Sequence, residues 1–120
     1  MAETFKSFTK TNATQDISLD ASNVYTVPSA NSTVAIVLGL VLANKTTNVI
    51  TVSVQIIKSS GDDSILMKDV SVPNASTLEV FQGQKLVLNG SDKLRVISNT
   101  ASALDVTLSV LEIDSTWVKY

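Results

Sequence analysis

Cysteine and histidine are both absent from this chain of 120 residues. Without cysteine the chain forms neither disulfides nor thiolate metal sites. Without histidine it also lacks the commonest general base and the commonest metal ligand. An enzyme would need a cleft built from carboxylates, lysines and hydroxyls alone. We therefore expect no catalytic residues, no metal and no cofactor, and predict that the protein is not an enzyme.

Positive charge and glycine are scarce as well. Nine basic residues, spread along the chain among eleven acidic ones, leave a net charge of -2, whereas a nucleic-acid binder shows a basic patch or stripe. The four glycines stand far apart, so the sequence contains no glycine-rich phosphate loop. Asp62 and Asp63 supply only a fragment of a calcium loop and are interpreted as turn residues. These observations exclude nucleic acid as an expected partner.

A long hydrophobic run is also missing. The longest apolar stretch, Val34 to Ala43, has about half the length that a membrane-spanning helix needs. The opening residues Met-Ala-Glu-Thr show no basic region followed by an apolar core, so we expect no signal peptide. The sequence predicts no membrane contact and a protein that is kept, or assembled into something larger, in a cytoplasm.

What the chain does contain is a succession of alternating apolar and polar runs. Residues 49–56 place Ile50, Val52, Val54 and Ile56 on one side of a strand, and residues 104–110 repeat the pattern. A period of two is typical of half-buried antiparallel strands. Eight to ten such runs at intervals of roughly 8–12 residues, with no convincing helix, indicate a sandwich or a barrel.

We accordingly predict an all-β fold: one antiparallel β-sandwich domain over residues 1–120, either jelly-roll or Ig-like. Aromatic residues make up only 5% of the chain, so valine, leucine, isoleucine and alanine must build the core. The segment Thr33 to Asn44 is apolar at both parities apart from Gly39, which is typical of a strand covered on both faces, and Gly39 indicates a bulge or a bend. Asn89 and Gly90 between two apolar runs predict a hairpin.

The two ends of the chain carry the candidate interface residues. Residues 1–12 hold Phe5 and Phe8, three apart, so a strand would point them to opposite faces. An edge strand is possible there, but the spacing favours an extended N-terminal arm docked on two surfaces. The short C-terminal tail, residues 114–120, holds Trp117 and Tyr120, which either cap their own sandwich or reach a neighbouring subunit.

Packing and turn motifs of a known kind occur in four segments: Val24–Pro28, Ala35–Asn44, Lys68–Pro73 with Ser76–Val80, and Asp105–Ile113. These segments resemble small virion structural proteins of tailed bacteriophages, notably those of marine and cyanobacterial phages. The resemblance covers roughly residues 23–113 and includes no site motifs. It implies a non-enzymatic capsid, neck or tail component with no catalytic residues.

Together with the resemblance, these observations predict a virion protein, assembled in the host cytoplasm, that acts as a capsid decoration or cement subunit. Its expected partners are the major capsid protein or neck and tail proteins, and a homo-oligomer is expected. A neck, tail or fibre-adaptor component is the alternative within the virion. A carbohydrate-binding adhesion module is the alternative outside that class, but sugar platforms need exposed aromatic rings. Away from the two ends the sequence offers only Tyr25 and Phe81.

Overall fold

A computed structural model describes residues 2–10, 23–28, 33–82 and 84–114. Over these residues it consists of strands and turns, and none of it is a helix suited to crossing a membrane. A strand that the sequence predicts at Asp16 to Asp20 lies outside the described residues. The strands are β1 (Ala2–Lys10), β2 (Asn23–Thr26), β3 (Val34–Asn44), β4 (Ile50–Ile57), β5 (Ser64–Val72), β6 (Thr77–Glu79), β7 (Leu86–Leu88), β8 (Lys93–Ser98) and β9 (Leu104–Asp114).

The strands pair as one long hairpin that has been rolled up. From its open end to its tip, β1 pairs with β9, β2 with β8, β3 with both β7 and β6, and β4 with β5, all antiparallel. Rolling adds the pairs β3–β9 and β4–β8 and gives two sheets, β1-β9-β3-β6 (with β7 also on β3) and β2-β8-β4-β5. This order is that of a jelly roll, which is one of the two predicted sandwiches.

The core lies between the two sheets and follows the predicted alternation. Along β4 the side chains of Ile50, Val52, Val54 and Ile56 are all buried, as their shared parity requires. Most of the other buried apolar side chains are valine, leucine and alanine, which confirms the expectation of an aliphatic core.

Strand β3 contains the bulge that the sequence predicts next to Gly39. Its register with β9 shifts between Val37 and Gly39, so Leu38 is the extra residue. The shift changes the inward parity of the strand, because Val37 is buried before it and Leu40 and Leu42 are buried after it. The bulge therefore keeps the inner face of β3 apolar along its full length.

The hairpin predicted at Asn89 and Gly90 is wrong. The strand before them, β7, pairs with β3 in the five-stranded sheet, whereas β8 after them belongs to the four-stranded sheet. The connection between β7 and β8 therefore crosses from one sheet to the other. It is held by the buried carboxylate of Asp92, which accepts hydrogen bonds from the Asn89 N–H (2.9 Å), the Ser59 N–H (3.0 Å) and Lys58 Nζ (2.9 Å). These contacts direct the chain into the other sheet instead of back along β7.

The N-terminal segment is an edge strand, the alternative to the arm that its phenylalanine spacing favours. Strand β1 pairs with β9 without a register shift from Ala2 opposite Asp114 to Lys10 opposite Val106. The opposite directions of Phe5 and Phe8 suit this strand, because Phe8 packs against the core and Phe5 points outward. The first and last described strands therefore lie side by side at one edge of the five-stranded sheet.

Candidate assembly surface

The outer face of the five-stranded sheet, which points away from the second sheet, carries a row of apolar side chains across four strands. Pairing places Phe5 of β1 opposite Leu111 of β9, Leu111 opposite Ile36 of β3, and Ile36 opposite Val87 of β7. At the two ends of this series, Phe5 and Val87 are 74% and 52% exposed. Leu111 and Ile36, which lie between them, are half-buried. We call these four residues the apolar row.

The outer face changes character along the strands. On one side of the apolar row, Val34 lies opposite Ile113, and both are half-buried. On the other side the face becomes hydroxylic, with Ser7 opposite Ser109 and Thr9 opposite Thr107. One half of the face is therefore suited to an apolar partner and the other half to a polar one.

The dimensions of this face match those of a protein interface. Strands β3 and β9 have eleven residues each, which at about 3.3 Å per residue gives a length of about 36 Å. The other strands are shorter: β1 has nine residues, and β6 and β7, which both pair with the same side of β3, have three each. At about 4.8 Å per strand the face therefore covers roughly 600 Å². A standard interface buries about 800 Å² on each partner, so the face has the size of one of the smaller protein interfaces.

Charged side chains lie at the margins of the outer face. Lys45 and Asp105 form an ion pair of 2.9 Å at its hydroxylic end. Glu3 is exposed on β1 at the opposite edge. Glu79 of the edge strand β6 reaches inward instead, because its Oε1 accepts a hydrogen bond of 3.4 Å from the Leu40 N–H of β3, beside Gly39. The apolar row itself carries no charge, and charged groups around an uncharged centre are typical of a protein interface.

Strand β1 is fastened to the sandwich by a buried carboxylate. Glu112 of β9 accepts a hydrogen bond from the Tyr25 hydroxyl and forms an ion pair with Lys6, whose Nζ lies 2.8 Å from Oε1. The rings of Phe8 and Tyr25 stack on the same side, with centroids 4.7 Å apart and planes tilted by 37°. One cluster therefore joins the first strand of each sheet and holds the edge of the outer face in place.

The electrostatics of this cluster follow from its geometry. Burial opposes ionisation of Glu112, but the hydrogen bonds from Lys6 and Tyr25, together with the lysine charge, outweigh it and hold the pKa of the carboxyl below its ordinary value. Burial raises the pKa of the Tyr25 hydroxyl, and its hydrogen bond to the Glu112 carboxylate raises it further. At neutral pH Glu112 is therefore a carboxylate that interacts with two donors, Lys6 and Tyr25, and this arrangement holds the strands together.

The candidate interface residues have different positions. Phe5 is an exposed member of the apolar row, whereas Phe8 is half-buried against Tyr25 within its own subunit. Trp117 and Tyr120 lie outside the described residues. Of the two candidates that the structure describes, Phe5 therefore lies on the outer face and Phe8 does not.

The other members of the apolar row were not identified from the sequence, although the sequence of β3 contains a signal for one of them. The apolar residues at both parities of β3 predict a strand covered on both faces, yet only the inner face is covered by described residues. Ile36 is on the outer face, which no described residues cover. Leu111 and Val87 join it through pairings that link distant parts of the chain, which a local pattern cannot reveal.

The outer face of the other sheet holds a different feature, an open depression of about 230 Å³ beside β5, where the register between β4 and β5 shifts. No aromatic ring lines it; its lining residues are Ser53, Val54, Gln55, Ile65, Lys68, Asp69 and Ile97. The two central aromatic side chains available for a sugar platform, Tyr25 and Phe81, are only 5% and 9% exposed. Within the described ranges, no three acidic side chains gather into a possible metal site.

No protein-family model matches this chain, and no curated protein matches its sequence. Solved structures do share its fold. The VP2 subviral particle of infectious bursal disease virus aligns with a TM-score of 0.51 at 12% identity, over 94% of this chain and 33% of VP2. This chain thus corresponds to about a third of the VP2 chain. The likeness is one of fold and supports the β-sandwich assignment.

Two further structures align less well. The protein of the Bacillus endospore appendages, described as disulfide-linked pili, has a TM-score of 0.48 at 12% identity, over 92% of this chain and 84% of its own. A pentameric capsid protein from metagenomic phage sequences has a TM-score of 0.37 at 15% identity, over 92% and 64%.

Proposed function

We propose that this protein is a non-enzymatic structural subunit of a bacteriophage virion, and that it binds the assembled head as a decoration or cement protein. The observation that carries the proposal is the outer face of the five-stranded sheet. It presents an apolar row that no described strand covers, with charges at its rim. An exposed apolar patch that is rimmed by polar residues is typical of an interaction site.

The proposed mechanism is stabilisation by mass action. A subunit that binds only the assembled shell lowers the free energy of that state at every occupied site. At a free concentration of about 100 times Kd the gain is about 2.7 kcal/mol per site. Repeated over a shell, such a contribution raises the resistance of the head to heat and internal pressure without any chemical step.

Three further observations support a structural role. The sequence resembles small phage virion proteins over roughly residues 23–113. The fold is also that of a protein forming a viral particle, the VP2 chain described above. Finally, the polar groups of the buried clusters are used internally: Glu112 binds Lys6 and Tyr25, and Asp92 closes a loop crossing.

The direct test is cosedimentation of the purified chain with heads assembled from the major capsid protein encoded in the same genome. We expect saturable binding to expanded heads and a higher temperature of head disruption when the chain is present. Failure to bind heads, together with a closed ring of the isolated chain in light scattering, would instead assign the protein to the neck or tail. Binding to an immobilised glycan but not to heads would favour the adhesion module.

A further inference from the structure

Strand β1 is an unusually regular sheet edge. It runs for nine residues and pairs with β9 on one side without a register shift, and no described strand lies on its other side. The remaining edges are interrupted: β2 and β5 have register shifts, and β6 and β7 have three residues each. Proteins usually protect edges by such short or bulged strands, because a long regular edge is a template for another strand.

The usual protection by inward-pointing charge is also weakened along β1. Lys6 points to the core side of the sheet, where a lone lysine would discourage another strand, but its charge is neutralised by Glu112 at 2.8 Å. On the outer side Phe5 is 74% exposed. The edge is thus regular, carries the exposed ring of Phe5 near its middle, and has its central lysine paired within its own subunit.

We propose that β1 pairs antiparallel with β1 of a second copy of this chain, so that the two five-stranded sheets join into one continuous sheet. Two identical antiparallel strands are related by a twofold axis perpendicular to the sheet. Directly opposite residues then point to the same side, so outward residues must face outward residues. Only registers that pair residues of equal parity satisfy this condition.

Among these registers, the one with Phe5 opposite Phe5 of the second copy fits the side chains. It joins the apolar rows of the two copies into a single band across both sheets, and it brings Glu3 opposite Ser7 and Thr4 opposite Lys6. Sliding the strands by one step in the direction of Lys10 would put Lys6 opposite Lys6, and like charges directly opposite are destabilising. Sliding them the other way would put Glu3 opposite Phe5 and break the band.

The inference does not rest on the proposed virion function, because the pairing is expected of the isolated chain in buffer. In the proposed dimer the outer faces of the two copies form one larger surface, on which the two apolar rows are collinear. Loss of head binding by a chain that still dimerises would overturn the proposed function alone. Head binding by a chain that never dimerises would overturn this inference alone.

Cysteine cross-linking tests the register directly, because the native sequence contains no cysteine. The double variant Glu3→Cys/Ser7→Cys keeps Phe5 and places each new thiol opposite one of the second copy, at a Cβ separation of about 4.5–5.5 Å. Within one chain the two positions are four residues apart on one strand, about 13 Å, and cannot be bridged. We expect the double variant to give a disulfide-linked dimer under mild oxidation, and each single variant to remain unlinked.

Light scattering supplies the second measurement. A dilution series of the native chain should show a species of twice 12.8 kDa that dissociates on dilution. Phe5→Glu should abolish this dimer, and the matched control Thr9→Glu should keep it. Thr9 is exposed on the same strand and face but lies beyond the paired segment. A monomer at every concentration, a dimer that survives Phe5→Glu, or equal cross-linking of the Ser7→Cys single variant would overturn the inference.

Discussion

Lys6 and Glu112 join the first and last described strands of the chain through an ion pair of 2.8 Å on the core side of the β1–β9 ladder. The carboxylate is also the acceptor for the buried hydroxyl of Tyr25, which belongs to the other sheet. One side chain therefore ties together the sheet edge and the two layers. The geometry of the outer face at β1 depends on this contact.

Removing the carboxylate should be costly. In Glu112→Ala the Tyr25 hydroxyl loses its acceptor while it remains buried, so we expect a loss of about 1–3 kcal/mol in the free energy of unfolding. Glu112→Gln keeps an acceptor and should lose less. The control is Lys45→Met, which breaks the exposed pair with Asp105 and should change stability by less than about 1 kcal/mol. Equal losses in urea denaturation would contradict this account of the cluster.

Stability should fall in acid. The pKa values of Glu112 and Asp92 are held below the ordinary values of 4.5 and 3.8, because their hydrogen-bond donors outweigh the effect of burial. The unfolded chain therefore binds protons more readily than the folded chain. The stabilisation is complete at pH values above the ordinary pKa values, which the two carboxyl groups have in the unfolded chain. It is lost as the pH falls from there to the lowered pKa values of the folded chain.

The measurement is the urea midpoint of the native chain and of Glu112→Gln from about pH 7 to about pH 3. The variant should show the smaller decrease, because it has one fewer carboxylate to protonate. An identical decrease in both proteins would mean that Glu112 does not contribute to the pH dependence.

Asp92 should be critical for the crossing between β7 and β8. Its carboxylate is buried and accepts hydrogen bonds from Lys58, Ser59 and Asn89. Lys58 is partly exposed and can turn to water, but the Asn89 and Ser59 N–H groups would lose their acceptor. Leaving part-buried donors unsatisfied costs about 1–3 kcal/mol, so Asp92→Ala should unfold at lower urea than the native chain. Asp63→Ala is the control, because Asp63 caps the exposed Lys58 N–H at 3.0 Å. A similar small effect of both variants would contradict the role given to Asp92.

The alternation along β4 makes a paired prediction. Val52 is 1% exposed in the core, whereas its neighbour Thr51 is half-buried on the opposite face. Val52→Asp would bury an unpaired carboxylate and should prevent folding. Thr51→Asp should change stability by about 0.5 kcal/mol or less. Circular dichroism with thermal denaturation distinguishes the two, and a folded Val52→Asp protein would contradict the assignment of this face to the core.

The sequence predicted what depends on local pattern. Alternation gave the β-sandwich, and the apolar run around Gly39 gave the bulge in β3, because parity and bulges leave a mark within a few residues. The crossing after Asn89 was missed because the deciding contacts come from Ser59 and Lys58, thirty or more residues away. The strand at Phe5 was underrated for a similar reason: its partner β9 lies at the other end of the chain.

The candidate surface shows the same division. Phe5 can be selected from the sequence because it is an aromatic residue in a polar segment, and aromatic residues dominate the energetics of interfaces. Ile36 and Leu111 cannot, since only the register of β3 and β9 shows that they share a row on the outer face. A surface assembled from four strands has no sequence signature of its own.

The central claim is that the outer face of the five-stranded sheet binds the phage head, and binding isotherms of two matched variants test it most directly. Val87→Lys places a charge in the apolar row, and Ile65→Lys places one on the other sheet; the native side chains are 52% and 57% exposed. Both variants should fold and melt like the native chain. We expect Val87→Lys to lose most of its affinity for expanded heads while Ile65→Lys keeps it. Native affinity in Val87→Lys, or an equal loss in both variants, would contradict the claim.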